Sequence, residues 1–341
     1  MLYFECDYAA GAHPKVLQRL IETNLELTAG YGKDAYTAQA QACIRAACNA
    51  ADADVFLLTG GTQTNRTVLG AMLLPMEGVL SADTGHIEVH EAGAIESTGH
   101  KVLPLPSEVG KVSAKTLDAY LHNFSREASS PHMVQPGMVY LSQPTEYGTL
   151  YTRVELQAIY AVCKKAGLKL FLDGARLAYG LAAPDNDIPL SAYCDLCDVF
   201  YIGGTKCGLL CGEAVVFPHH GMPKNFFTYV KQQGAMLAKG RVLGVQFETL
   251  FTDGLYEQIG QRGIEMAMRV RDLLTEKGYR FAWTSPTNQQ FVVVDNDTLA
   301  RICKQVRVDL WECPDDTHTI IRFATSWATR DEDVEALRAI L

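Results

Sequence analysis

Short apolar runs alternate with helical stretches along most of this chain, and that alternation constrains the fold more than any single residue. Apolar runs fall at 54–58, 78–81, 102–105, 138–142, 168–172, 199–202 and 214–217. Helical patterning fills the intervals at 15–27, 36–50, from the 60–65 turn to 74, and at 88–97, 114–123 and 153–166. Strands that alternate with helices form an α/β fold. Here that means a mostly parallel, seven-stranded sheet flanked by helices, with ligands held at the carboxyl ends of strands. After Thr252 the texture changes to a long helix at 255–277, short strands at 289–294 and 319–323, and helices at 297–304 and 331–341. The chain therefore divides into a large domain, 1–252, and a small α+β domain, 253–341. The stretch 124–137 contains Ser129-Ser130-Pro131 and Gln135-Pro136-Gly137 and reads as a surface loop.

Two strand ends carry chemistry. One apolar run ends in Asp173-Gly174-Ala175-Arg176, and the next ends in Gly203-Gly204-Thr205-Lys206. A carboxylate and a lysine at such places suit pyridoxal phosphate (PLP). The acid keeps the ring nitrogen protonated, and the amine holds the cofactor as a Schiff base. Either residue alone reads as a turn former or a solvated charge; the order and flanking strands favour the cofactor.

Three further elements fit that chemistry. The turn Gly60-Gly61-Thr62-Gln63-Thr64-Asn65 offers backbone N–H groups and the Thr62 hydroxyl to a phosphate. It also reads as a plain helix N-cap, and it matches neither the dinucleotide G-x-G-x-x-G pattern nor a P-loop. His86, with Glu88 and Glu91 after it, stands at a strand-to-helix turn, where an imidazole can stack on a cofactor or move protons. Arg322 interrupts the apolar run 320–323, a costly place for an unpaired guanidinium. A substrate carboxylate or a structural ion pair would each answer it, and Arg176 carries the same two readings.

Composition excludes other classes. The 341 residues are 48% hydrophobic, enough for a substantial core, and carry a net charge of −9 with no basic run. Nucleic acid and anionic membranes are therefore not expected partners. The first residues lack a basic n-region and a long apolar segment, and no run approaches a membrane span. Ten scattered cysteines fit reduced thiols in a cytoplasmic protein. Cys194-x2-Cys197 and Cys207-x3-Cys211 have zinc-like spacing, but one leads into an apolar strand and the other flanks the lysine turn. Packing cysteines are the preferred reading, and no metal is expected.

Asp173-Gly174-Ala175-Arg176, the Lys206 turn, Tyr31-Gly32-x-Asp34, Gly61-Thr62 with Asn65, His86 with Glu91-Ala92-Gly93, and Arg322 with Trp327 resemble the low-specificity L-threonine aldolases. These are PLP enzymes of the aspartate-aminotransferase-like fold (fold type I), grouped with β-eliminating lyases. The resemblance runs from Asp7 to Thr329. The 60–65 turn and Lys239-Gly240 with Gln246-Phe247-Glu248 are similar to the trypanosomatid branch in particular.

The resemblance implies that Lys206 holds PLP covalently and Asp173 holds its ring nitrogen. Gly61 and Thr62 would bind the phosphate, His86 would stack on the ring, and Thr205 and Arg176 would also be cofactor-binding. Arg176, Arg322, Cys6 and Tyr31 would surround an amino-acid substrate. It implies a homo-oligomer, dimer or tetramer, with Tyr31 and Lys239 or Arg241 serving a neighbour's site. There are departures. Cys6 stands where many members have a serine, and Gln143-Pro144-Thr145-Glu146 stands where many have Asn-Thr-His-Asn. The histidine of that motif, thought to assist the aldol step, is missing here, and Glu146 stands in the same segment.

The expected reaction is retro-aldol cleavage of L-threonine, L-allo-threonine or related β-hydroxy-α-amino acids to glycine and an aldehyde. His86 or Glu146 is the candidate base for the β-hydroxyl. The alternatives are β-elimination or transamination on the same fold, or a binding protein that has kept the fold without the chemistry.

Overall fold

The computed structural model describes residues 1–341. The first eight strands are β1 (Leu2–Tyr3), β2 (Asp54–Leu58), β3 (Glu77–Ala82), β4 (Val102–Leu105), β5 (Gln135–Ser142), β6 (Lys169–Asp173), β7 (Val199–Gly203) and β8 (Glu213–Phe217). Seven of them form one sheet in the order β2-β8-β7-β6-β5-β3-β4. Every neighbouring pair is parallel except those made by β8, which runs against both β2 and β7. The seven-stranded α/β architecture expected from the alternation is the one observed.

The two faces of this sheet follow from the period of two in its strands. On one face Val139, Leu141, Leu170 and Leu172 meet Ile44, Leu156, Ile159 and Phe247 from helices Ala35–Ala47, Arg153–Ala166 and Arg241–Leu250. On the other, Met138, Tyr140 and Phe171 meet Val68, Leu69, Phe226 and Val230 from helices Gly61–Met72 and Phe226–Gln232. Covered on both sides, β7 and β8 are buried at every position, which is why they read as unbroken apolar runs.

The C-terminal part adds β9 (Arg280–Phe281), β10 (Gln289–Asp295), β11 (Val306–Arg307), β12 (Asp309–Asp315) and β13 (His318–Ala324). An antiparallel sheet, β12-β13-β10-β9, packs on helices Leu255–Glu276 and Asp331–Ile340. The chain's start joins this layer: β1 pairs with β11, and Phe4 is buried with Ile321 and Phe323. No helix is long and apolar enough to cross a membrane.

Several local expectations change. The helix expected at 88–97 is only His86–Val89, followed by a short 3-10 turn. Ala92 at φ 51° and Gly93 at φ 73° turn the backbone left-handed between them. The supposed loop 124–137 is mostly structure: helix Ala114–Arg126 runs into it, a 3-10 turn spans Ser130–His132, and β5 begins at Gln135. The first helix stops at Thr23, leaving Leu25 and Leu27 on the surface. All ten cysteines are free thiols; Cys194, Cys197 and Cys207 are buried in the main core.

Candidate active site

Backbone contact between two turns brings the strand-end residues together. A Cβ on Gly174 would lie 2.0 Å from the Tyr201 carbonyl oxygen, and one on Gly203 would lie 2.3 Å from the Ala175 oxygen. Only glycine permits that approach. The Gly203 N–H donates to Gly174 O at 2.9 Å, so the ends of β6 and β7 are pinned edge to edge. Asp173 closes β6, and Lys206 follows β7. Both line a cavity of about 760 Å³. Gly61, Thr62, His86, Glu146, Arg176, Thr205 and Arg322 line it too. Cys6 and Tyr31 do not: Cys6 is half-buried beside the Asp7 segment, and Tyr31 is exposed with Lys231 over its ring.

Asp173 is buried yet built to stay charged. Tyr140 Oη donates to its Oδ2 at 2.5 Å, the Asn65 amide donates to the same oxygen at 3.0 Å, and the Ala175 N–H donates to Oδ1 at 3.0 Å. Burial alone would raise its pKa. His86 nearby and hydrogen bonds from Tyr140, Tyr201 and Ala175 reverse this and hold it below the usual carboxylate value. A charged acid at the floor of a cavity is what a pyridinium nitrogen needs.

Lys206 sits in the opposite environment. Burial, then the Arg176 charge, lower its pKa, against the pull of Asp7, Asp173 and Glu213. A lysine made less willing to hold its proton is a better nucleophile for a carbonyl. Glu213 is buried beside it. Its carboxylate accepts from Thr205 Oγ1 at 2.8 Å and from the Gly204 N–H at 3.1 Å, and burial pushes its pKa up to about 8. The Thr205 hydroxyl also accepts from the Gly212 N–H at 3.1 Å, so it is engaged in holding the lysine turn.

The anion end of the cavity is the start of helix Gly61–Met72. Gly60 provides no side-chain cap, so the first-turn N–H groups are left for an outside acceptor. His86 lies across from it. Its Nδ1 is 2.7 Å from Glu91 Oε1, and its backbone N–H donates to Glu146 Oε1 at 3.0 Å. Glu146 also accepts from Ser142 Oγ at 2.5 Å and is almost fully buried, which raises its pKa.

The two arginines differ. Arg176 donates through Nε and Nη2 to Asp7 at 2.7 and 3.1 Å, and Asn288 backs the same carboxylate at 2.9 Å. Burial would raise the Asp7 pKa, but Arg176 and Lys206 bring it down to about 2. Arg322 pairs with Asp309 at 2.6 Å and Gln289 at 2.7 Å and lies over Trp311. Its Nε and the Gln289 amide nitrogen are buried without hydrogen-bond partners. Both arginines therefore have ion-pair partners in the fold; Arg322 Nε is buried without a partner, and Arg176 Nη1 makes no hydrogen bond to the protein.

Sequence reasoning gave no role to Asn65, Tyr140, Glu213, Asp7 or Asp309. Only Glu213 left a signal: a charge opening an apolar strand between glycine turns.

The donor set fits PLP: a charged acid, a deprotonation-prone amine and open helix-start N–H groups share one cavity of suitable size. The family model described as Beta-eliminating lyase matches residues 4–299. Across the whole of both chains, the structure of Leishmania major threonine aldolase is 41% identical, with a TM-score of 0.95. A low specificity L-threonine aldolase of Pseudomonas aeruginosa is 29% identical over 99% of this chain and 95% of its own. A putative L-allo-threonine aldolase from Listeria monocytogenes, 17% identical, shares the fold with a TM-score of 0.75 over 100% of this chain and 95% of its own. The chain belongs to the β-eliminating lyase family and, within it, sits with the threonine aldolases.

Proposed function

We propose that this cavity binds PLP on Lys206 and cleaves the Cα–Cβ bond of L-threonine, L-allo-threonine and related β-hydroxy-α-amino acids, giving glycine and an aldehyde. The observation that carries this reading is that Asp173, its carboxylate held by Tyr140, Asn65 and the Ala175 N–H, lines one cavity with Lys206 and Arg322. Bound PLP would supply the electron sink that stabilises negative charge at Cα. The protein's part is positional. Asp173 would keep the ring nitrogen protonated, and the first-turn N–H groups of Gly61 and Thr62 with the Thr62 hydroxyl would hold the phosphate.

Arg322 would bind the substrate carboxylate and so fix which bond at Cα is presented for cleavage. Arg176, already committed to Asp7, shapes that site and lends it charge. His86 takes the β-hydroxyl proton through its free Nε2. Glu146, held by Ser142 and the His86 amide, is the second candidate for that proton. Exposed Leu17, Ile21, Leu25 and Leu27 near the N-terminus support assembly with further copies of the chain.

The test is direct. Loaded protein should give a borohydride-stable PLP adduct that maps to Lys206 and should turn over L-threonine, while Lys206→Ala should do neither yet remain folded. An adduct mapping to another lysine would sink the assignment.

A further inference from the structure

His86 and Asp173 are joined through two buried side chains that no reading so far has used. The Asn65 amide nitrogen donates to Asp173 Oδ2 at 3.0 Å and to Glu91 Oε1 at 2.8 Å. The same Glu91 oxygen is 2.7 Å from His86 Nδ1. Tyr140 closes the far end on Asp173. Asn65 is 0% exposed and Glu91 5%. Glu91 Oε2 and Asn65 Oδ1 are nonetheless buried without partners. A buried polar atom without a partner is costly.

We propose that Glu91 and Asn65 are positioning residues for the lyase reaction. Glu91 holds His86 with its hydrogen on Nδ1 and leaves Nε2 free at the cavity, and Asn65 fastens that histidine to Asp173 as one unit. An ionised carboxylate only accepts, so the nitrogen facing Glu91 carries the hydrogen. The amide of Asn65 has two hydrogens and meets two carboxylates, which fixes its own orientation. His86 and Asp173, tied through one amide, then cannot move independently. The inference rests on the PLP-lyase reading and adds to it how His86 is aimed.

Three measurements test it. In 15N-histidine NMR, His86, assigned by its loss in His86→Asn, should carry hydrogen on Nδ1 in the wild type at a pH where the ring is neutral. In Glu91→Gln the amide can accept or donate, and the two tautomers should mix. That variant should still trap PLP on Lys206 in full, with kcat on L-threonine down by about 10–100-fold and KM within about twofold, the usual scale for losing an orienting partner. Asn65→Leu should weaken PLP binding in an absorbance titration, because Asp173 loses a donor. A wild-type enzyme that releases no aldehyde overturns the underlying reading and this inference with it. If aldehyde is released, a wild-type His86 protonated on Nε2 alone, or a Glu91→Gln enzyme with wild-type kcat, overturns the inference only.

Discussion

Glu213 and Arg322 are ionisable side chains buried at the cavity wall. Glu213 binds its proton more tightly in the fold than in the unfolded chain, where a glutamate titrates near 4.5; in the fold burial pushes it up to about 8. The sign follows. Its burial is least unfavourable below the unfolded value, and the penalty grows as pH rises towards the folded value. Glutamine does not titrate. In the cofactor-free protein, Glu213→Gln should therefore gain in Tm over wild type as pH goes from about 5 to about 8. A gap that stays constant with pH would show that Glu213 is not buried as a neutral acid. Arg322 carries an ion pair with Asp309 and still has an unmet Nε. If it binds the substrate carboxylate, Arg322→Lys should lower kcat/KM for L-threonine by the equivalent of about 1.5–3 kcal/mol, with PLP retained. Unchanged kcat/KM with a lower Tm would assign the arginine to the fold alone.

At the scale of elements, the site is made by the turns after β6 and β7, and glycine is what lets them meet. A methyl on Gly174 would collide with the Tyr201 carbonyl, a backbone atom that cannot swing aside. Gly174→Ala should cost about 1–3 kcal/mol of stability, as overpacking does, and should weaken PLP binding by moving Asp173. Thermal melts and a PLP titration would check it; a variant that binds PLP like wild type would mean the turns do not set the site. The same scale explains what the sequence left hidden. The turn residues Asp173, Gly174, Gly203 and Lys206 stood at the ends of apolar runs and could be read directly. Strand β12 could not. It is an edge strand exposed from Glu312 to Asp315, so it lacks an apolar stripe, and its edge position tolerates the proline. Yet it brings Asp309 and Trp311 to the cavity. The helix expected at 88–97 failed because the two left-handed residues at 92 and 93 break it, and Gly93 alone hinted at that.

Across the whole molecule, the cavity lies where the N-terminal segment, the large sheet and the C-terminal layer meet. Asp7 ties them by accepting from Arg176 after β6 and from Asn288 just before β10. Contacts of that range leave no local pattern in a sequence. Parallel architecture was legible because burial on both faces makes continuous apolar strands. The Asn65–Glu91–Asp173 link was not, because its members lie 26 and 108 positions apart along the chain. Bond choice is what the assembled site decides. The measurement is the product balance when the PLP-loaded protein is given L-threonine and, separately, a β-substituted amino acid with a good leaving group. The expected result is acetaldehyde and glycine in equal amounts from L-threonine, none from D-threonine, and little ammonia from the second substrate. Ammonia and a keto acid from the second substrate, with no aldehyde from any β-hydroxy amino acid, would contradict it and make the protein a β-eliminating enzyme.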